Sequence, residues 1–275
     1  MTLRQQSLSR SYLFVPGNRP DRFDKAMQSG ADTVIIDLED AVSPAEKMQA
    51  RKAVIDYLTP EHGICLRVNG TESDWFNDDL ELCTLPGVNS IMLPKVETMD
   101  QVNRITGRIK GDVPVLPFIE TAQGFSNLGN IAAAHGVQRL VFGTLDFMLD
   151  LGLNTDGDEI NAIRLQLVLA SRIAGIASPV EGVTQDIRDL DRLQLDSRRA
   201  RNLGFGGKLC IHPSQVELVN SCFSYSPDEI AWARRVLAAA ELSNGSAVSL
   251  DGKMIDKPVI ERAEIIISRS PPETG

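Results

Sequence analysis

The chain has 275 residues, 43% of them apolar and 24% charged, the composition of a folded globular protein rather than a disordered one. With 28 Lys and Arg against 37 Asp and Glu the net charge is −9, which argues against a nucleic-acid-binding surface but leaves room for a local basic pocket. No stretch approaches the length of a membrane span, and residues 1–10 are polar and lack the apolar core of a secretory leader. A cytoplasmic protein with neither nucleic-acid nor membrane partners is therefore expected.

Short apolar runs alternate with helical patterns along the chain. The runs are 11–17 (SYLFVPG), 33–38 (TVIIDL), 64–69 (ICLRVN), 90–95 (SIMLPK), 113–120 (VPVLPFIE), 139–143 (RLVFG), 177–183 (ASPVEGV) and 208–212 (KLCIH). Helices are expected at 20–28, where Pro20 suits a first turn, at 44–57, and most clearly at 160–174, where Ile163, Leu167 and Ala170 share a stripe. Eight strand-like runs separated by helices predict an α/β fold, a (β/α)8 TIM barrel, over residues 1–223. A doubly wound sheet is the rival, weakened by the absence of a GxGxxG after the first run. Beyond the eighth run, a helix is expected at 227–242, a turn-rich stretch at 244–252 and a helix at 258–267. Residues 224–275 thus make a C-terminal helical lid or intersubunit extension. Cys65, Cys83, Cys210 and Cys222 have no metal-type spacing and sit in or beside apolar runs, as buried thiols in a reducing compartment do.

In a barrel, ligands meet the C-terminal ends of the strands. Polar residues end these runs repeatedly: Asp37, Glu39 and Asp40, then Arg67 and Asn69, Lys95, Glu120, Asp146 and His212. Glu120 and Asp146 lie on successive strand ends, where two carboxylates completed by waters and substrate oxygens suit Mg²⁺, with Mn²⁺ able to use the same oxygens. On the residues alone, a helix-start neighbour and a solvated loop acid describe them equally. Arg67 is placed to grip a carboxylate or a developing oxyanion, or to pair with Asp37 or Glu39. Lys95 among so many acids is expected to act electrostatically rather than as a Schiff-base amine. His212 is open between a base and a structural role, and His62 and His135 are expected to be structural or solvent-facing. The loop at 16–20 (PGNRP), with Arg19 and, beyond it, Lys25, can meet a phosphate-rich group but is no Walker loop.

The spaced motifs at 11–26 (SYLFVPGNRPDRFDKA), 33–47 (TVIIDLEDAVSPAEK), 66–70 (LRVNG), 91–97 (IMLPKVE), 116–124 (LPFIETAQG), 140–147 (LVFGTLDF), 209–215 (LCIHPSQ) and 251–264 (DGKMIDKPVIERAE) resemble the HpcH/HpaI aldolase and citrate-lyase beta-chain superfamily over nearly the full length. Having both the first-loop motif and the GKMIDKP segment, the chain looks most like the acyl-CoA lyases of that superfamily. The resemblance implies a TIM barrel whose C-terminal segment closes a neighbouring subunit's site, in a homotrimer or a hexamer. It implies Mg²⁺ (or Mn²⁺) on Glu120 and Asp146 and substrate oxygens on Arg67. It implies an acid at Asp256. On the residues themselves, Asp37 and Glu39 are weaker catalytic candidates, Asp37 orienting Arg67 and Glu39 holding a metal-bound water. Phe14, Arg19, Lys25 and Pro213 match positions that hold coenzyme A, which is part of the substrate. The implied reaction is cleavage of a 3-hydroxyacyl-CoA thioester, with citramalyl-CoA giving acetyl-CoA and pyruvate, a 2-keto acid, as the leading example. Alternatives are a citryl thioester lyase of the citrate-lyase beta type, a malyl-CoA lyase or thioesterase, a free 2-keto-acid aldolase and a non-enzymatic CoA-binding regulatory protein. Asp256 has a second expectation from its own sequence: an Asp before Lys257 and Pro258 is a good helix cap.

Overall fold

All eight apolar runs form strands, in the computed structural model of the protein, which describes residues 9–109, 111, 113–242 and 248–270. They are Ser11–Pro16 (β1), Thr33–Asp37 (β2), Ile64–Arg67 (β3), Val88–Leu93 (β4), Val115–Ile119 (β5), Arg139–Phe142 (β6), Ala177–Glu181 (β7) and Gly207–Cys210 (β8). All pair in parallel, each with the next in sequence, and β8 closes on β1 through Ser11–Lys208, Tyr12–Leu209 and Leu13–Cys210. The result is a closed (β/α)8 barrel.

The helices of the barrel layer are Phe23–Met27 (α1), Lys47–Tyr57 (α2), Phe76–Leu82 (α3), Met99–Thr106 (α4), Ala122–Ser126 (α5), Leu128–Ala132 (α6), Thr144–Leu151 (α7), Asp158–Ile173 (α8), Leu190–Leu203 (α9) and Val216–Phe223 (α10). The helices expected at 20–28 and 44–57 both begin as 3-10 turns, Pro20–Arg22 and Pro44–Glu46, because proline at the first position supplies the backbone angle but no N–H.

Alternation along the strands sorts side chains into two layers. Tyr12, Ile35, Cys65, Met92, Leu116, Phe118, Val141, Val180 and Leu209 fill the barrel interior. The intervening Leu13, Val34, Ile36, Leu66, Ile91, Leu93 and Ile119 pack outward against the helices. At the N-terminal end of the barrel, Arg139 is fully buried and bonded to the carbonyls of Ser9, Ser178 and Pro179 and to the Tyr12 hydroxyl. All four cysteines are free and buried.

The described residues divide into two units between Phe223 and Ser224. In the second unit, Pro227–Leu242 (α11) and Lys257–Ser268 (α12) bury Ala233, Val236, Ala263 and Ile266 together with Ile255. Here the structure corrects the expectation of a turn-rich stretch at 244–252. Val248–Leu250 (β9) and Lys253–Ile255 (β10) form an antiparallel hairpin around Asp251 and Gly252, both with positive φ (51° and 76°). That is the requirement of a type I′ turn, which Asp-Gly meets at little steric cost. Residues 244–247 lie outside the described part. Among the described residues, no helix is long and apolar enough to cross a membrane.

Candidate active site

Asp37, Arg67 and Glu120 continue the inward parity of their strands, two residues beyond Ile35, Cys65 and Phe118. The same alternation that fills the barrel with apolar side chains therefore raises these three charges at its C-terminal mouth.

Arg67 is held on two sides. Its Nε and Nη2 donate to the two oxygens of Asp37, each at 2.7 Å, and Nη1 lies 3.1 Å from Glu39 Oε2. Its guanidinium lies over the Phe14 ring, 4.7 Å from the centroid. Burial alone would depress the Arg67 pKa, but Asp37, Glu39 and Asp40 raise it on balance, so the site carries a permanent cation. Asp37 also accepts the backbone N–H groups of Glu39 and Ala41, which shapes the acidic loop that follows β2.

Glu39 Oε1 accepts the Lys95 ammonium at 2.7 Å, whereas its buried Oε2 has no hydrogen-bond partner. Burial pushes the Glu39 pKa up, against Arg67 and Lys95. Lys95 has a positive φ of 50°, rare for a residue with a Cβ, and its N–H lies 3.4 Å from Glu120 Oε1. Its pKa is raised: desolvation opposes this, but Glu39 and Asp40 outweigh it. A permanently protonated Lys95 suits an electrostatic role and not a nucleophilic amine.

Glu120 is 2% exposed and follows β5 directly. Asp146 stands in the first turn of α7, exposed to solvent, and near enough for its charge to act on Glu120. Burial, then repulsion from Asp146 and Glu39, pushes the Glu120 carboxyl up to about 8 in spite of Arg67. Two crowded carboxylates, one of them desolvated, are an arrangement that a divalent cation relieves. The donor set is all oxygen, and among the described residues no group of three or more His, Cys, Asp and Glu is arranged around a metal position. Two carboxylates that leave the remaining positions to water and substrate fit Mg²⁺.

The other candidates are spread more widely. Arg19 is paired with its neighbour Asp21 on the surface (2.7 and 2.9 Å), and Lys25 is exposed on α1. Pro213 opens the 3-10 turn after β8, next to β1 in the barrel, and His212 caps that turn by accepting the Ser214 N–H. His62 stacks on Tyr57 at 4.1 Å. Asp256 caps α12, its Oδ1 accepting the Val259 N–H at 3.3 Å, and it belongs to the second unit.

Several supporting residues carry no strand-end signal. The Lys47 ammonium donates to the carbonyls of Leu38 and Glu39 and to Asn69 Oδ1, each at 2.7 Å. Asn69 in turn bonds Asp79, which Arg51 holds at 2.7 Å. A sequence signal exists for this set: Lys47 and Arg51 share the buried stripe of α2 with Ala50 and Val54, and charges on a core-facing stripe need partners.

A family model described as HpcH/HpaI aldolase/citrate lyase matches residues 10–213. The chain belongs to that family. It is 36% identical over 267 residues to a citrate lyase subunit beta-like protein of Mycobacterium tuberculosis, covering 94% of each chain. It is 35% identical over 269 residues to a (3S)-malyl-CoA thioesterase of Cereibacter sphaeroides, covering 94% of this chain and 92% of the relative. The CitE protein of M. tuberculosis, solved in complex with magnesium, acetoacetate and coenzyme A, superposes with a TM-score of 0.83 at 35% identity, over 96% of this chain and 99% of that one.

Proposed function

We propose that the protein is a divalent-metal-dependent carbon–carbon lyase acting on a 3-hydroxyacyl-CoA thioester, with citramalyl-CoA cleaved to acetyl-CoA and pyruvate as the leading reaction. The observation that carries this reading is the buried Glu120 carboxyl, crowded by the charge of Asp146, in the mouth where Asp37 fixes Arg67. Mg²⁺ or Mn²⁺ bound by Glu120 and Asp146 supplies Lewis-acid polarisation of the substrate's oxygens.

The chain's own groups do the rest. Arg67 has five N–H groups. Asp37 takes two and Glu39 faces a third, leaving two for a substrate oxygen that gains negative charge as the bond breaks. Glu39 Oε2, buried with Arg67 Nη1 beside it at 3.1 Å, accepts a proton or holds the water that takes the carbinol proton. As the carbon–carbon bond breaks, its electron pair passes to the thioester enolate, and Asp256 delivers a proton to the enolate carbon. Arg19 on the loop after β1, Lys25 on α1 and Pro213 after β8 hold the coenzyme A portion, and Phe14 keeps the Arg67 plane in place. In this reading the second unit, which has its own core, closes a neighbouring subunit's site in a homotrimer or hexamer and supplies Asp256 across subunits.

Thioester hydrolysis is the second reading, favoured by the likeness to the (3S)-malyl-CoA thioesterase of C. sphaeroides. The purified protein with Mg²⁺ is offered citramalyl-, malyl- and citryl-CoA in turn, while acetyl-CoA, the 2-keto acid and free coenzyme A are followed together. Matched release of acetyl-CoA and keto acid, absent in the Glu120→Ala, Asp146→Ala double variant, is expected. Free coenzyme A with an intact hydroxy acid means hydrolysis. Full turnover by the double variant removes this site from the reaction.

A further inference from the structure

The polar cluster between the barrel and helices α8 and α9 has no part in the chemistry above, yet it touches the element that carries Asp146. We infer that Glu181, the last residue of β7, is a positioning residue that fixes the first turn of α7 and thereby sets where Asp146 stands against Glu120. The inference rests on the reading of Glu120 and Asp146 as metal ligands.

Asp146 is exposed, so its place is set by the backbone of the turn that bears it. That turn begins at Gly143 and Thr144. The buried Thr144 hydroxyl donates to Glu181 Oε1 at 3.1 Å, bridging the start of α7 to the neighbouring strand. Two glycines make the fit possible. A Cβ at Gly182 would lie 2.6 Å from the Thr144 hydroxyl oxygen and 2.9 Å from the Phe142 carbonyl. A Cβ at Gly143 would collide with the Glu120 side chain. The ends of β6 and β7 are therefore shaped to bring Glu120, the α7 turn and Glu181 into contact with no spare volume.

Glu181 is itself over-determined. Its Oε1 also accepts the Gly182 N–H at 3.0 Å, and its Oε2 accepts Arg164 Nε at 2.7 Å. Arg164, 1% exposed, holds both oxygens of Asp156 with its other edge (2.7 and 2.9 Å), and Arg199 holds Asp156 from α9 at 2.7 Å. The adjacent Gly182 carbonyl takes the ammonium of buried Lys208 from β8. A buried carboxylate is a costly way to pack a strand against helices, and apolar side chains of equal volume would do that work at least as well. What the carboxylate adds is direction: one oxygen aimed at one hydroxyl at the start of the metal-bearing helix.

The test measures Mn²⁺ affinity of the whole protein by electron paramagnetic resonance, alongside the thermal midpoint of the metal-free form. Thr144→Val removes the hydroxyl at nearly constant shape and is expected to weaken Mn²⁺ binding roughly ten- to a hundredfold. Thr144→Ser, which keeps the hydroxyl, is expected to bind as the parent does. Glu181→Gln should weaken binding too, and the double variant should be no weaker than the worse single one, since both act through one bond. Unchanged Mn²⁺ affinity in Thr144→Val, whatever its thermal midpoint, overturns the inference, as does loss of affinity in Thr144→Ser equal to that in Thr144→Val. Glu120→Gln separates the two levels. If it binds Mn²⁺ like the parent, or the parent binds none, the metal site itself is wrong, and the inference falls with it.

Discussion

At the scale of single residues, the charge in the barrel mouth is arranged so that its acids are unequal. Asp37 is neutralised by a two-point contact with Arg67, and Glu39 is shared between Lys95 and Arg67. Glu120 has burial and a like-charged neighbour instead, and its carboxyl is pushed up to about 8. An ordinary glutamate in the unfolded chain titrates near 4.5. Between those two values the metal-free folded state binds more protons than the unfolded state, so stability falls as pH rises through that window. The slope is at most about 1.4 kcal/mol per pH unit from this one group. Urea melts of the EDTA-treated protein at pH 5, 6, 7 and 8 are expected to show the loss, and Glu120→Gln to lack it. Because other groups titrate in the same range, the difference between the two proteins is the informative quantity, and parallel profiles would remove the claim. Added Mg²⁺ should stabilise more at pH 8 than at pH 6, because the ligand must first lose its proton.

At the scale of elements, the sequence is most legible where one rule acts alone. Strand existence followed from apolar runs, and the candidate site residues followed from the charged residues that end those runs. Arg67 and Glu120 could be found because a charge terminating an apolar strand has one place to go in a barrel. Lys47 could not be found that way. It sits on a helix, and only the fold brings its ammonium to the carbonyls of Leu38 and Glu39 behind the acidic loop. Glu181 was hidden for a related reason: it follows Val180 in an apolar run, and its partner Arg164 lies on a buried stripe with Ile160, Leu167 and Ser171. The hairpin after α11 was legible in Asp251-Gly252, but its strands are only three residues each, too short for alternation to register. The Lys47 clamp has a consequence of its own. Lys47→Met leaves the Glu39 carbonyl and Asn69 Oδ1 without that donor, at a cost of about 3 kcal/mol, or a midpoint lowered by roughly 6–12 °C. Turnover should fall with it while Mn²⁺ affinity holds, since Glu120 and Asp146 stand on other elements. A variant with parent stability and parent turnover would show that the acidic loop holds its shape unaided.

At the scale of the whole molecule, the described residues form two units, one the closed barrel with its helices and one made of α11, α12 and the hairpin. Resemblance, not periodicity, singled out Asp256 as an acid, because nothing in the second unit's pattern distinguishes it from an ordinary helix cap. Both descriptions can hold at once: one oxygen caps α12 through Val259 while the other is left for a substrate. Asparagine caps a helix about as well as aspartate but carries no exchangeable acid proton. Asp256→Asn is therefore expected to keep the parent's thermal midpoint and Mn²⁺ affinity. It should also abolish exchange of solvent deuterium into the methyl group of acetyl-CoA, followed by mass spectrometry. Asp256→Ala, lacking the cap, should lose about 1 kcal/mol of stability as well. Exchange at the parent rate in Asp256→Asn would leave this residue a cap alone and move the proton-transfer role to a group of the barrel, with Glu39 the first to be tested.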